Sequence, residues 1–423
     1  MNDALARLKA SSRPIAFAHY SLVNDISGVT TWLQDLLFRL NADGVPLVVL
    51  LHHIGDGIEH SSLVGPLRAA GIHVELHPRS ATIQEDIRGT LRFLEEHRPA
   101  VFLPQCLNAM YFAAAEAGAH GLPWLLTMHS DDPDYWEIAE ALPPEEHGGN
   151  MVCVSDYIAG LASKRGLAKA PQVIPYGVEV PAAVVRSSTA PFRVVYSGRM
   201  VEEQKRLSLV VDTMIEACER DERIECVLMG QGPAEAKAKE VVRNAGFEDR
   251  ILFKGRLAGP EVRAVLERSQ ALLLMSDYEG LPVSMLEAMA LGVVPVVRGI
   301  DSGIPELVHH GATGLITNAV PSDAATSLVQ LMNDEPLWHR CSQGARALVQ
   351  ERYSIGRSYA DWVERIARSM EKSTWDESAL TLERLAAPAL GTRLAKGYKR
   401  VAPQLDAPKS WFDRLKSLVR RGA

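Results

Sequence analysis

The stretch ALLLMSDYEGLPVSMLEAMA, residues 271–290, reads as a buried strand, a polar turn and a helix in direct succession. Residues 271–276 form a short apolar run, Gly280 and Pro282 punctuate the chain after it, and apolar residues return at helical spacing from Val283. The same unit recurs on either side: PFRVVYSGR, IECVLMG, ILFKG and VVPVV are further strands of a second series. The first half repeats the pattern, with candidate strands at 15–18, 47–51, 73–76, 101–103, 124–128 and 151–154, each followed by a helix or a long loop. Strand and helix alternating in this way build a parallel sheet with helices on both faces.

Two such series imply two cores. PAAVVRSSTAP, residues 181–191, is poor in large apolar side chains and bracketed by prolines, which suits an exposed linker. The expected fold class is α/β with two doubly wound, Rossmann-like domains at residues 1–185 and 186–355; one continuous large sheet is the alternative. In residues 356–390, Tyr359, Trp362, Val363 and Ile366 keep helical spacing and predict a helix packed on the domains. Residues 391–423 carry nine Lys or Arg against Asp406 and Asp413, about +7, leaving about −14 on the rest. Trp411, Phe412, Leu415, Leu418 and Val419 would form one apolar stripe there, the pattern of an interfacial membrane helix; a solvated or docked terminal helix fits equally well.

Composition narrows the function classes. With 423 residues, 47% hydrophobic and 23% charged, the chain is neither disordered nor a disulfide mini-protein nor a fibre. A net charge of −7 offers no overall basic field, so no nucleic-acid partner is expected. The five cysteines are scattered and lack C-x-x-C spacing, which fits a reducing compartment. The amino-terminal residues lack the apolar core of a secretory signal, and no run approaches the roughly 20 apolar residues that span a bilayer. A soluble cytoplasmic protein is the expectation, with peripheral contact on the inner membrane face through the basic tail.

The chemistry-bearing residues cluster at strand ends of the second series. Gly198 and Arg199 follow PFRVVYS, with Lys205 and Arg206 in the same loop. A glycine there admits an anion to the backbone, and two or three cations neutralise about two negative charges, a diphosphate grip; solvated surface cations are the plain alternative. Glu279 lies at the end of ALLLMS, the segment Gly280, Leu281, Pro282, Val283 offers amides at a helix start, and Glu287 lies on the first turns of that helix. Amides there suit a phosphate and an inward carboxylate suits ribose hydroxyls, although ordinary helix-dipole and surface roles explain both glutamates too. Gly230, in GQGP, ends a third strand. In the first series, Gly28 in ISGVT precedes a helix, and His129 in LLTMHSDDPDYW ends a strand; a tight turn and a structural histidine are the respective alternatives. The remaining histidines show no ligand spacing along the chain, so no metal is assigned. Neither a dinucleotide G-x-G-x-x-G fingerprint nor a P-loop is present.

Taken together, SGR…EEQKR, the GQGP turn, the E-x(7)-E pair of Glu279 and Glu287, LGVVPVV, GIPELV…GATGL, VCVSDYIAG and VIPYGVE resemble the retaining glycosyltransferases of family 4 over roughly residues 14–370. The resemblance implies the GT-B fold, two Rossmann-like domains facing across a cleft. It implies a nucleotide-diphosphate sugar as co-substrate, with no separate cofactor, held mainly by the second domain, and a glycan, lipid-linked or small-molecule acceptor presented by the first. Arg199 and Lys205 match the basic pair on the diphosphate, Glu279 the glutamate near the transferred sugar, and Glu287 the one on the ribose. Amides of Gly280, Leu281, Val283 and the Gly28 loop complete the implied pocket, and His129 matches a histidine that contacts the donor sugar. Arg199 and Lys205 stand one residue further apart than in many family sequences, which makes Arg206 a competitor for the lysine's role. Tyr176 also replaces the usual asparagine before Gly177, and the first-domain loop reads SGV for GGV.

Such cations and amides stabilise a departing diphosphate directly, so no metal is required. Closure of the domains would keep water from the donor. Sugar-nucleotide epimerisation, phosphorolysis and non-catalytic sugar-nucleotide binding are the competing readings.

Overall fold

The apolar runs become thirteen strands, all paired in parallel, in a computed structural model that describes residues 1–22, 27–80, 82–106, 108–142, 150–184 and 191–374. The chain divides into two units. Among the described residues, the first takes those of Met1–Val154, Ile158–Ile174 and 359–374; the second takes those of Ser155–Tyr157 and Pro175–Ser358.

In the first unit β1 (Ile15–Leu22), β2 (Leu47–Ile54), β3 (His73–Pro78) and β4 (Val101–Pro104) lie in the order β3-β2-β1-β4. A second sheet, β5 (Leu126–Met128), β6 (Met151–Cys153) and β7 (Gln172–Val173), continues it through a parallel bridge between Phe102 and Trp124. The Phe102 amide donates to the Pro123 carbonyl at 2.9 Å, and the Leu125 amide donates to the Phe102 carbonyl at 3.1 Å. Helices Gly28–Ala42, Ile83–His97 and Asn108–Ala119 connect successive strands.

The second unit is one sheet of β8 (Phe192–Ser197), β9 (Ile224–Met229), β10 (Ile251–Gly255), β11 (Ala271–Leu274), β12 (Val294–Arg298) and β13 (Leu315–Thr317), in the order β10-β9-β8-β11-β12-β13. All four residues of β11 and the first four of β12 are buried, because helices cover both faces of a central parallel strand. Burying each such Val or Leu side chain contributes about 1.5–3 kcal/mol. Helix Glu335–Arg352 seals one face: Trp338 is fully buried and its indole N–H donates to the Gln270 carbonyl at 3.1 Å.

The second unit therefore runs 3-2-1-4-5-6 and the first follows the same order with β7 added beyond its sixth strand, the doubly wound arrangement expected from the alternating pattern. β7 and β13, two and three residues long, were not among the expected strands because such short runs carry no readable periodicity. Helix Ile355–Met370 begins in the second unit and continues in the first, where Trp362, Val363 and Ile366 are buried and the Trp362 ring lies 5.1 Å from that of Trp32. Residues 185–190 of the expected linker and the basic segment 391–423 lie outside the described residues. Among the described residues no helix is long and apolar enough to cross a membrane.

Candidate active site

In a sheet of this order the connections leave the first and fourth strands in opposite directions, so a crevice opens beyond their carboxyl ends. In the second unit those strands are β8 and β11, and the loops that leave them are residues 198–206 and 275–282. Four of the expected site residues, Gly198, Arg199, Lys205 and Glu279, come together there.

Lys205 Nζ donates to Glu279 Oε1 at 2.5 Å, with the two side chains only 13% and 6% exposed. Arg199 is held beside this pair: its Nη2 donates to Gln204 Oε1 at 2.5 Å, and Gln204 Nε2 donates to the Tyr278 carbonyl at 3.2 Å. The Asp277 amide in turn donates to the Gln204 carbonyl at 2.8 Å, so Gln204 ties both loops together through side chain and backbone. The Tyr196 hydroxyl donates to the Arg199 carbonyl at 2.6 Å. Burial, reinforced by the nearby Glu279 carboxylate, pushes that phenol far above its ordinary pKa and keeps it a donor.

Arg206 takes a left-handed conformation, φ 49°, immediately before helix Leu207–Arg220. Its guanidinium faces Glu202 at 3.8 Å and Asp277 at 3.7 Å, and Asp277 also pairs with Arg298. The contact with Glu279 thus belongs to Lys205, despite the longer spacing from Arg199.

Backbone approach explains the glycines. Register pairs Ser197 with Met229, which brings the two following loops side by side. Gly230 has φ +128°, and a Cβ on it would lie 1.9 Å from the Gly198 carbonyl oxygen. A Cβ on Gly232 would lie 2.2 Å from the Met200 oxygen, and one on Gly303 1.9 Å from the Gly280 oxygen. Gly230 therefore shapes the site by seating the Gly198 loop.

Gly280 and Leu281 are buried, and Val283 begins helix Val283–Ala290. The helix has Pro282 at its cap position and no side-chain cap bond, and the Met285 amide turns back to the Pro282 carbonyl at 3.1 Å. Glu287 is half-buried one turn further in. From the GIPELV stretch, Glu306 accepts the amides of Tyr157 at 2.8 Å and Asp156 at 3.2 Å, capping helix Asp156–Lys164, and burial raises its pKa.

The other two expected residues belong to the first unit. Gly28 opens helix Gly28–Ala42 behind its cap Ser27, whose hydroxyl accepts the Thr30 amide at 3.1 Å. His129 directly follows β5, is buried, and its Nε2 lies 2.6 Å from Gln105 Oε1. Burial, with His19 nearby, lowers its pKa to about 3, so the imidazole is neutral and acts through hydrogen bonds. The Trp32 ring stands 5.3 Å away. His19, on β1, is lowered to about 4 by burial and bonds Thr30 Oγ1 at 3.1 Å. Gln204, Tyr196, Gln105 and His19 were not singled out from the sequence; Tyr196 and Gln105 occupy or adjoin a strand's carboxyl end, the one signal that could have found them, whereas Gln204 lies seven residues beyond β8 and His19 is within β1.

Metal-type donors gather in two places among the described residues, His52 with His77 and Asp86, and His73 with Glu75 and His97, none of them expected as ligands.

Residues 183–348 match the family model described as "Glycosyl transferases group 1". The chain is 29% identical over 217 residues to the putative colanic acid biosynthesis glycosyltransferase WcaL of Escherichia coli, covering 48% of this chain and 52% of that protein. It is 35% identical over 128 residues to N-acetyl-alpha-D-glucosaminyl L-malate synthase of Bacillus anthracis, covering 30% of this chain and 33% of that one. It therefore spans about half or less of the length of these curated relatives. Among solved structures, HepE of Anabaena in complex with UDP and glucose superposes with a TM-score of 0.67 at 15% identity, over 83% of this chain and 98% of HepE. The chain thus carries the GT-B fold, and its residues 183–348 match the group 1 glycosyl transferases.

Proposed function

We propose that the chain is a retaining glycosyltransferase of family 4 type that moves a sugar from a nucleotide-diphosphate sugar to a glycan or lipid-linked acceptor without a metal. The observation that carries this is the pairing of Lys205 with Glu279 between the two strand-end loops of the second unit, with Arg199 fixed beside it and an uncapped helix start at Val283. A diphosphate fits that arrangement: Arg199 and Lys205 neutralise it, the leading amides of helix Val283–Ala290 bond its oxygens, and Glu287 receives the ribose hydroxyls.

In the proposed reaction the bond from the anomeric carbon to the diphosphate oxygen breaks as the acceptor oxygen attacks from the same face. The acceptor proton passes to the departing phosphate, and the products are a glycoside and a nucleoside diphosphate. Negative charge grows on the leaving oxygen, where fixed cations and amides stabilise it more than in the ground state. Glu279, released as Lys205 turns to phosphate, is then an acceptor for sugar hydroxyls. His129, neutral and oriented by Gln105, contributes a hydrogen bond to the sugar, and the Gly28 loop supplies backbone contact. HepE binds UDP, and WcaL is described for colanic acid biosynthesis, which supports UDP-sugars as first donors and a polysaccharide precursor as acceptor. The reaction would run at the cytoplasmic face of the membrane, with the basic residues 391–423 as the peripheral contact.

Thermal-shift screening against nucleoside diphosphates and their sugars, followed by transfer assays with the best donor, tests this proposal. A ligand at 100 times its dissociation constant adds about 2.7 kcal/mol of stability. Isomerisation of donor without acceptor, or a requirement for inorganic phosphate, would replace transfer by epimerisation or phosphorolysis; absence of any shift would remove the donor site.

A further inference from the structure

The two groups of metal-type donors lie in the first unit, and in each the donor atoms are all within 4.8 Å of one another. Charge separates them. Asp86 already accepts from Arg79 Nε at 2.7 Å and from the Ser80 amide at 2.8 Å, and a guanidinium in that position repels a second cation. Glu75 has imidazoles around it: His73 Nε2 is 3.3 Å from its Oε1, and His97 Nε2 is in hydrogen-bond contact with the same atom. A neutral imidazole can exchange that N–H for a lone pair and become a ligand, which a guanidinium cannot.

We propose that His73, Glu75 and His97 bind a divalent transition-metal ion of the zinc class, which clamps edge strand β3 to helix Ile83–His97. Alternate residues of a strand share a face, so His73 and Glu75 project together from the amino-terminal half of β3. His97 is the last residue of the helix, where the carbonyl end of the helix dipole favours positive charge. Its ring is held between those of Phe93 at 4.8 Å and His73 at 5.3 Å, so the ligand is pre-oriented. Metal bonds of about 2.0–2.1 Å in a tetrahedral site put neighbouring donors about 3.3 Å apart. The 3.3 Å between His73 Nε2 and Glu75 Oε1 already has this spacing, whereas His97 Nε2 sits closer to the same oxygen and draws back to receive the ion. Side-chain exposure of 60% at His73 and 31% at Glu75 gives the ion access from solvent and leaves room for water as a fourth ligand. Two imidazoles and one carboxylate suit zinc over calcium or magnesium, which prefer all-oxygen shells. Because β3 is an edge strand of its sheet, the clamp would fasten a strand that is paired on one side only.

The test uses the tag-free full-length chain titrated with Zn2+ alone by calorimetry, and with Co2+ followed by visible absorption. One equivalent should bind the unaltered chain with the ligand-field bands of a low-coordinate site. His97→Ala and His73→Ala should each weaken binding at least about tenfold, as loss of a direct ligand exceeds the 10–100-fold loss from an outer-shell partner. Glu75→Gln preserves the side chain's size and should weaken binding as well, which guards against a folding defect. His77→Ala, in the neighbouring group, should leave affinity unchanged. Absence of saturable binding, binding that survives in the His73→Ala/His97→Ala double variant, or loss of binding in His77→Ala would each overturn the assignment.

Discussion

Replacing Lys205 by methionine separates the two roles that its contact with Glu279 can serve. The pair is 2.5 Å apart and nearly buried, so its attraction is about 6–7 kcal/mol at an effective dielectric of 20, much of it offset by the desolvation of both charges. Removing one partner strands the other, and the cost to stability is about 3 kcal/mol. If Lys205 also holds the departing diphosphate, the variant loses a charge aimed at the transition state, worth about 2.7–4 kcal/mol or a 100- to 1000-fold fall in kcat. The partner variant Lys205→Met/Glu279→Gln distinguishes the two roles. It retains no stranded charge, so its urea midpoint should return most of the way to that of the unaltered chain, while release of nucleoside diphosphate from the donor stays depressed. Recovery of both stability and turnover in the double variant would reduce the pair to a structural salt bridge and remove Lys205 from the proposed chemistry.

Three further expectations follow from other parts of the structure. Gly230→Ala sets a Cβ 1.9 Å from the Gly198 oxygen at φ +128° and should cost about 4 kcal/mol from strain and overpacking together, whereas Gly246→Ala, at φ +76° with nothing within 4 Å, should cost about 1 kcal/mol; equal losses in urea denaturation would refute the close approach as the cause. His129, at about 3, and His19, at about 4, are neutral when folded and bind protons only when unfolded between there and about pH 6.5, so stability is complete above 6.5 and falls below it. At pH 5 the loss is about 2 kcal/mol for each histidine, and His129→Gln should remove its share of the pH slope; an unaltered slope contradicts this. Gln204→Ala removes one hydrogen bond to Arg199 and one to the Tyr278 carbonyl and should raise KM for the donor about tenfold while lowering the thermal midpoint, since a hydrogen bond to a charged group is worth about 1.5–3 kcal/mol; a lowered midpoint with unchanged KM assigns Gln204 to loop packing alone.

Arg199, Lys205 and Glu279 were readable because each follows an apolar run, and the doubly wound rule makes β8 and β11 neighbours although Lys205 and Glu279 are 74 residues apart. Gln204 was not readable: it stands among equally polar residues in EEQKR, and its part depends on contacts with Tyr278 and Asp277, more than 70 residues away in the chain. Gln105 and His19 gain meaning only from burial against His129 and Thr30, which pattern does not encode. The His73, Glu75 and His97 group has no signature along the chain, because Glu75 and His97, 22 residues apart, meet only when the helix folds back over β3. The conformation of Gly230 answers to the Gly198 backbone, a constraint that exists only once β8 and β9 are in register.

If the second unit holds a diphosphate as proposed, the gap in affinity between a nucleoside diphosphate and the corresponding monophosphate measures that grip most directly. Calorimetric titration of the unaltered chain should show the diphosphate binding about 100-fold more tightly, a difference of roughly 2.7 kcal/mol, with the gap falling below about tenfold in Arg199→Ala/Lys205→Met. Equal affinities in the unaltered chain, or a gap that survives the double substitution, would contradict it.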